Sequence, residues 1–170
     1  WETKAATTEC VTTVVSDGER VFASGGYPKN HIQALLGDGS KKIVWENNSR
    51  VYVPSMLVQG DYLYALLDAG IAACWHAKTG KAAWKHRIGG TFTAAPILVN
   101  DLIYAFDEKS QATIFRADPK KYEQVSRASL PGEQFSAPVI CGNRLYLRIG
   151  QTENGRRQEY LYAIAEPAGQ

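Results

Sequence analysis

The cysteines are the first side chains to consider for metal binding or disulfide formation, and they lie far apart in the sequence. They are Cys10, Cys74 and Cys141, an odd number with no paired spacing. Zinc sites and disulfide frameworks both use cysteines at short, repeated spacings. We therefore expect the three cysteines to be small apolar fillers.

The histidines form no recognisable catalytic or metal-binding pattern. His31 is expected in a loop and His76 before a turn, and His86 is flanked by Lys85 and Arg87. The sequence has no Gly-x-Ser-x-Gly elbow, no His-Glu-x-x-His pair, no phosphate-binding glycine loop and no calcium loop. No catalytic, cofactor-binding or metal-binding residue is predicted, and no cofactor.

Composition narrows the possible partners. Of 170 residues, 45% are hydrophobic and 21% charged, and the net charge is +2. A balance this close to neutral argues against a nucleic-acid binder. No run approaches the roughly 20 apolar residues that span a bilayer, so no membrane span is predicted.

An internal repeat supplies the elements that position these side chains. Four segments share an apolar run, a turn pair and an aliphatic-aromatic pair. Their closing aromatic residues are Phe22, Tyr64, Tyr104 and Tyr146. These are separated by 42, 40 and 42 residues. A period near 41 therefore runs through the chain.

A second part of the repeat ends in tryptophan. Residues 34–45 align without gaps on residues 73–84, and the two segments end in Trp45 and Trp84. In the third copy, residues 114–125, the same alignment places Val125 where the other copies have tryptophan.

Each period has room for four short strands. In the second copy they are predicted at Leu57–Val58, Tyr62–Leu67, Ile71–His76 and Lys81–Arg87. Glycines such as Gly60 and Gly80 allow tight turns between them. Four antiparallel strands per period of about 40 residues indicate a β-propeller blade, so the chain is predicted to be all-β.

The chain is expected to form one β-propeller segment of about four blades. The copies are predicted at about 8–48, 49–90, 91–130 and 131–166, with residues 1–7 as the outer strand of a preceding copy. We expect an arc of a ring of about seven or eight blades. In the alternative, the first strand completes the last blade and closes a four-bladed ring. An arc leaves open sheet edges through which the chain could self-associate.

The second copy carries a family resemblance. Lys78-Thr79-Gly80-Lys81 followed by Trp84, with the Gly60 to Tyr64 run, resembles the repeat of the pyrroloquinoline-quinone-like (quinoprotein-like) β-propellers. The degenerate turns of the first and third copies are similar to planctomycete-type variants. The resemblance implies that the repeat residues are structural, with each tryptophan docked between blades. These residues are Trp45, Trp84, Gly60, Tyr64, Thr79, Gly80, Tyr104 and Tyr146.

The resemblance also bears on function. It implies a non-catalytic binding or assembly scaffold with a protein partner, located in the periplasm or cell envelope. The alternative is part of a quinoprotein dehydrogenase whose cofactor ligands lie outside this chain, because the adjacent cysteines and calcium ligands of such enzymes are missing here. A scaffold subunit similar to the propeller lipoprotein of outer-membrane assembly is a third possibility.

Two long excursions are the candidate recognition segments. Residues 24–31 lengthen the first copy, and residues 149–159 lengthen the fourth, where Asn154-Gly155 is a predicted hairpin turn. Long loops on a rigid scaffold commonly carry binding surfaces.

Overall fold

The computed structural model describes residues 1–5 and 7–166. Within them the chain is all-β, with fifteen strands in four antiparallel sheets and no helix. Each sheet is formed by strands consecutive in sequence, in the order in which they occur. The predicted all-β blade architecture is therefore confirmed.

The first two blades have four strands each. Those of the first blade are β1 (Val15–Ser16), β2 (Arg20–Gly25), β3 (His31–Leu36) and β4 (Ile43–Asn47). Those of the second are β5 (Leu57–Gln59), β6 (Tyr62–Leu67), β7 (Ile71–His76) and β8 (Ala82–Arg87). The strands predicted for this second copy agree with these bounds to within one residue.

The third blade has four strands and the fourth has three. The third contains β9 (Ile97–Val99), β10 (Leu102–Phe106), β11 (Gln111–Arg116) and β12 (Gln124–Ser129). The fourth contains β13 (Val139–Cys141), β14 (Arg144–Glu153) and β15 (Arg156–Ile164). The described residues therefore form three blades of four strands and one of three.

The hydrophobic core lies between blades. The middle strands β6 and β7 are buried almost throughout, because each contacts a neighbouring sheet on both faces. The outermost strand β12, by contrast, has all six residues exposed. Twelve buried residues fill the interface of the first and second blades and nine that of the second and third, but only four fill that of the third and fourth. The last interface is therefore the least filled.

Strand register corrects the gapless alignment of the repeats. Ala34, Cys74 and Ile114 are equivalent, because they pair with Phe22, Tyr64 and Tyr104 respectively. Across the next ladder, Ala34 pairs with Trp45 and Cys74 with Trp84, while Ile114 pairs with Ser126. The turns before these outer strands differ in length, and exposed turns absorb insertions readily. Ser126, not Val125, therefore occupies the tryptophan position of the third blade.

The beginning of the chain also differs from expectation. Residues 1–5 and residue 7 belong to no strand, so the outer strand expected over 1–7 is not formed within them. A strand needs a hydrogen-bonded neighbour, and the indole of Trp1 instead lies beside Gly39. No described residue at the start of the chain pairs with β15. The described residues therefore contain no closure of a four-bladed ring through these strands.

Candidate binding face

Strand direction divides the blades into two ends. Because neighbouring strands are antiparallel, the turns between second and third strands lie at the same end as the linkers that join one blade to the next. We call this end the linker face, formed by turns 26–30, 68–70, 107–110 and 154–155 and by linkers 48–56, 88–96 and 130–138. The opposite end is the turn face, which includes turns 37–42, 60–61, 77–81 and 142–143.

Each linker is fixed by hydrogen bonds to the turns it passes. In the linker after the second blade, the amides of Ile88 and Gly89 donate to the oxygen of Gly70, and the oxygen of Thr91 accepts from the amide of Glu108. A side chain at Gly70 would collide with this linker, since an added Cβ would lie 2.6 Å from the carbonyl carbon of Gly89. The turns and linkers thus form a continuous, bonded surface.

Side chains fix the first linker to the turn between β6 and β7 and to the start of the chain. The amide of Tyr52 donates to Asp68 at 3.1 Å, and Arg50 forms an ion pair with Asp68 at 2.9 Å. The Tyr52 hydroxyl donates to Glu9 at 2.5 Å, and this hydrogen bond raises the pKa of Tyr52 above its ordinary value. Sequence reasoning did not identify these residues, because turn and linker side chains follow no apolar periodicity.

The excursion in the first blade projects from the linker face. The turn from Gly26 to Asn30 joins β2 to β3, and the backbone of Tyr27 pairs with that of Glu9. The Tyr27 side chain is 59% exposed. A large aromatic side chain is thereby presented to solvent on a backbone held by a neighbouring segment.

The excursion in the fourth blade is a strand extension rather than a loop. The β14–β15 ladder continues without a break from Leu145 paired with Ile164 to Glu153 paired with Arg156. Asn154 and Gly155 have φ values of 49° and 74°, so they form the predicted hairpin turn in the left-handed region.

A charged and aromatic cluster connects this hairpin to its linker. Glu133 exchanges both backbone hydrogen bonds with Gly150, and Arg157 forms ion pairs with Glu133 and Glu159. The hydrogen bond to Glu133 raises the pKa of Arg157. The Arg157 guanidinium also lies 5.9 Å from the ring centre of Phe135, which is 47% exposed. An exposed phenylalanine is thus held beside a fixed cation.

The first predicted tryptophan, Trp45, lies between the first and second blades. It is 8% exposed, and its Nε1 donates to the backbone oxygen of Ala77 at 2.7 Å. Gly80, at a φ of 69°, lies against the indole, where an added Cβ would be 2.5 Å from Cδ2 of Trp45. Thr79 is exposed in the same turn, and its Oγ1 accepts a hydrogen bond from the amide of Lys81.

The second predicted tryptophan, Trp84, lies between the second and third blades. Its Nε1 donates to the oxygen of Asp118 at 2.8 Å, and its ring packs against those of Tyr64, Phe115 and Tyr122. Tyr64 is buried, and its hydroxyl donates to the oxygen of Ala117 at 2.9 Å. The structure therefore brings Tyr64 and Trp84 together.

The remaining predicted residues are spread over the other blades. Gly60 is exposed in the β5–β6 turn with a φ of 54°, and no atom lies within 4 Å of where an added Cβ would be. Tyr104 on β10 and Tyr146 on β14 are half-buried. Gly60 thus needs only its left-handed backbone, whereas Gly80 also needs the space that a side chain would fill.

The donor set for a quinone cofactor with calcium does not match these residues. Cys74 is buried, while Cys10 and Cys141 are exposed, and none is adjacent to another. Across the described ranges no three His, Cys, Asp or Glu side chains are grouped as they would be around a metal ion. Neither adjacent cysteines nor such a cluster is therefore present among the described residues.

No helix in residues 1–5 and 7–166 has the length and apolar character needed to cross a membrane.

Comparison with known proteins gives both a family match and shared folds. A family model described as outer membrane protein assembly factor BamB matches residues 1–86 and residues 28–147. The beta-alanine-activating enzyme of Danio rerio is 26% identical over 102 residues, which is 56% of this chain and 8% of that enzyme. The chain thus matches a small part of that enzyme.

Two solved structures have similar folds. The computationally designed Ika4 protein has a TM-score of 0.68 and 9% identity, and the match covers 94% of this chain and 98% of that one. Quinohemoprotein alcohol dehydrogenase ADHIIG from Pseudomonas putida HK5 has a TM-score of 0.66 and 17% identity, over 82% of this chain and 28% of that one. At these identities the likeness concerns the fold.

Proposed function

Because this chain belongs to the PQQ-like repeat family of the outer membrane protein assembly factor BamB model, we propose that it is a non-catalytic scaffold. In this proposal it binds a protein partner through its linker face. The observation that carries the proposal is the presence of two exposed aromatic side chains, Tyr27 and Phe135, on that one face.

The surroundings of these side chains suit protein recognition. Interface hot spots are enriched in aromatic residues and arginine, and Phe135 lies beside Arg157. Hydrogen bonds fix the backbone at Tyr27 and at Glu133, two residues before Phe135. Such preorganisation lowers the entropy lost on binding. The ion pairs of Arg157 with Glu133 and Glu159 would form the polar rim of the interface.

We also propose how the chain fits into a whole protein. The four copies, at about 8–48, 49–90, 91–130 and 131–166, would be one segment of a ring of about seven or eight blades. The fold match covers 28% of the quinohemoprotein dehydrogenase chain and 98% of the Ika4 chain, so support for a larger ring comes from the dehydrogenase fold alone. The family description supports a periplasmic or cell-envelope location. An arc with open edges would also self-associate in isolation.

Site-specific photo-crosslinking tests the binding face. A benzoylphenylalanine placed at position 27 or 135 should form an adduct with the same partner protein. The matched controls are positions 41 and 78, where exposed lysines lie on the turn face. Adducts from the turn face alone, or none from the linker face, would contradict the proposal.

Quinone titration tests the dehydrogenase alternative, which the fold shared with quinohemoprotein alcohol dehydrogenase favours. Because that alternative places the cofactor ligands outside this chain, the test uses the whole protein that contains it, which should show no saturable change in absorbance when titrated with pyrroloquinoline quinone and calcium. Stoichiometric binding would replace the scaffold proposal with the enzyme alternative.

A further inference from the structure

The interface between the third and fourth blades contains an open groove. Its volume is about 700 Å³. Apolar side chains from both blades line it, including Tyr104, Ile114, Ala128, Leu145 and Ile164. The groove extends from Asn143 and Glu166 at the turn face to Leu130, the first residue of the third linker, and its lining includes neither Tyr27 nor Phe135.

The groove lies beside the position that holds an indole in the other interfaces. Trp45 fills this position between the first and second blades, and Trp84 fills it between the second and third. In the third blade the register assigns the position to Ser126, which pairs with the groove residue Ile114. Directly paired residues share a face of the sheet, so Ser126 lies on the groove side.

The acceptor position of the other interfaces is also present. Tyr146 pairs with Ala163, as Tyr104 pairs with Ile114, and this register makes Glu166 equivalent to Ala117 and Ala77. The backbone oxygens of Ala77 and Ala117 accept the hydrogen bonds of Trp45 and Tyr64. Glu166 lines the groove. The site therefore has the apolar walls of an indole site, without the indole. Because the third blade has Tyr104 where the second has Tyr64, the Glu166 oxygen corresponds to the acceptor of the tyrosine hydroxyl.

We propose that this groove binds a tryptophan side chain of a partner protein, which takes the place that Trp45 and Trp84 occupy in the other interfaces. A buried indole contributes a large apolar area, and the apolar walls of the groove can accommodate it. The groove uses neither Tyr27 nor Phe135, so this inference and the proposed function can each fail while the other stands.

Nuclear magnetic resonance with an indole probe tests the site. N-acetyl-L-tryptophanamide added to the isotope-labelled 170-residue chain should cause saturable amide shifts at Ile114, Ala128 and Leu145, with a dissociation constant of about 1 mM. N-acetyl-L-alaninamide should cause none. Absence of saturable shifts at these residues would overturn the proposal.

Substitution at Ser126 provides the matched test. Ser126→Trp should let the chain fill its own groove, which raises the melting temperature and abolishes the probe shifts. Val125→Trp, at the neighbouring bulge position, should change neither. If Ser126→Trp binds the probe like the unsubstituted chain, or Val125→Trp also blocks it, the proposal fails.

A second pair of variants covers the case in which Ser126→Trp does not fold. Ala128→Glu places a carboxylate on the groove wall at an exposed position, and it should weaken probe binding by about tenfold or more. Ser129→Glu, on the opposite face of the strand, is its control. Groove resonances that shift on dilution without probe would assign the groove to a second copy of the chain and so overturn the proposal.

Discussion

The indole Nε1 of Trp45 donates to the backbone oxygen of Ala77 across the first blade interface at 2.7 Å. In the interface of the second and third blades, the Tyr64 hydroxyl donates to the equivalent backbone oxygen, that of Ala117. Trp84 donates instead to the backbone oxygen of the next residue, Asp118. The difference follows from one side chain, because the first blade has Phe22 where the second has Tyr64, and phenylalanine has no hydroxyl.

Replacement of Trp45 should destabilise the chain strongly. Trp45→Ala removes a buried aromatic ring, so we expect the free energy of unfolding to fall by about 3–5 kcal/mol. Trp45→Phe keeps an apolar ring but leaves the oxygen of Ala77 without its donor, at a cost of about 1–3 kcal/mol. Urea denaturation measures both changes. As a control, Val125→Ala at an exposed position should cost less than about 0.5 kcal/mol. Equal costs at Trp45 and Val125 would refute the docking role.

Two turn glycines should respond differently to alanine. Gly60→Ala adds only the strain of a left-handed residue, about 1–2 kcal/mol, because no atom lies near its added Cβ. Gly80→Ala has the same strain and also collides with Trp45, so we expect about 2–5 kcal/mol in total. Thermal or urea unfolding of the two variants measures both losses of unfolding free energy. Equal losses would mean that the Trp45 indole moves aside without cost, and would contradict the prediction.

The buried thiol of Cys74 should make the chain sensitive to alkaline pH. Burial raises the pKa of Cys74 to about 12, from 9.0 for an exposed thiol. The unfolded chain therefore loses this proton first, so the contribution to stability is complete below pH 9 and declines as the pH rises toward 12. Cys74→Ala should flatten the fall in unfolding free energy above pH 9.

Thiol chemistry provides a direct check on Cys74. At pH 8 the exposed Cys10 and Cys141 should react at once with a thiol reagent, while Cys74 should react only on unfolding. Cys141→Ala is the control, because it should leave the alkaline slope unchanged. Rapid labelling of Cys74 in the folded chain would contradict this prediction.

The repeat allowed the sequence to predict the blades but not their exact register. The strands of the second copy were predictable because Gly60 and Gly80 mark its turns and apolar residues fill β6 and β7. The assignment of Val125 to the tryptophan position was wrong because turn lengths differ between copies and exposed insertions leave no periodic signal. Only the hydrogen-bonded ladder identifies Ser126 at that position.

The linker face could be predicted in part. The two excursions were evident from their length, and Asn154-Gly155 indicated its own turn. The hydrogen bonds that fix the linkers were not predictable, since they use backbone groups such as the oxygens of Gly70 and Thr91, which almost any residue offers. The exposure of Phe135 depends on the packing of the fourth blade and has no local signature.

The binding affinity of linker-face variants for the partner captured by crosslinking tests the central claim most directly. Phe135→Ala and Tyr27→Ala remove exposed side chains, so the fold should persist while isothermal titration shows binding weakened by about tenfold or more. Lys78→Ala on the turn face should bind the partner as the unsubstituted chain does. Undiminished binding by both aromatic variants, or a loss confined to Lys78→Ala, would contradict the assignment of the linker face as the binding surface.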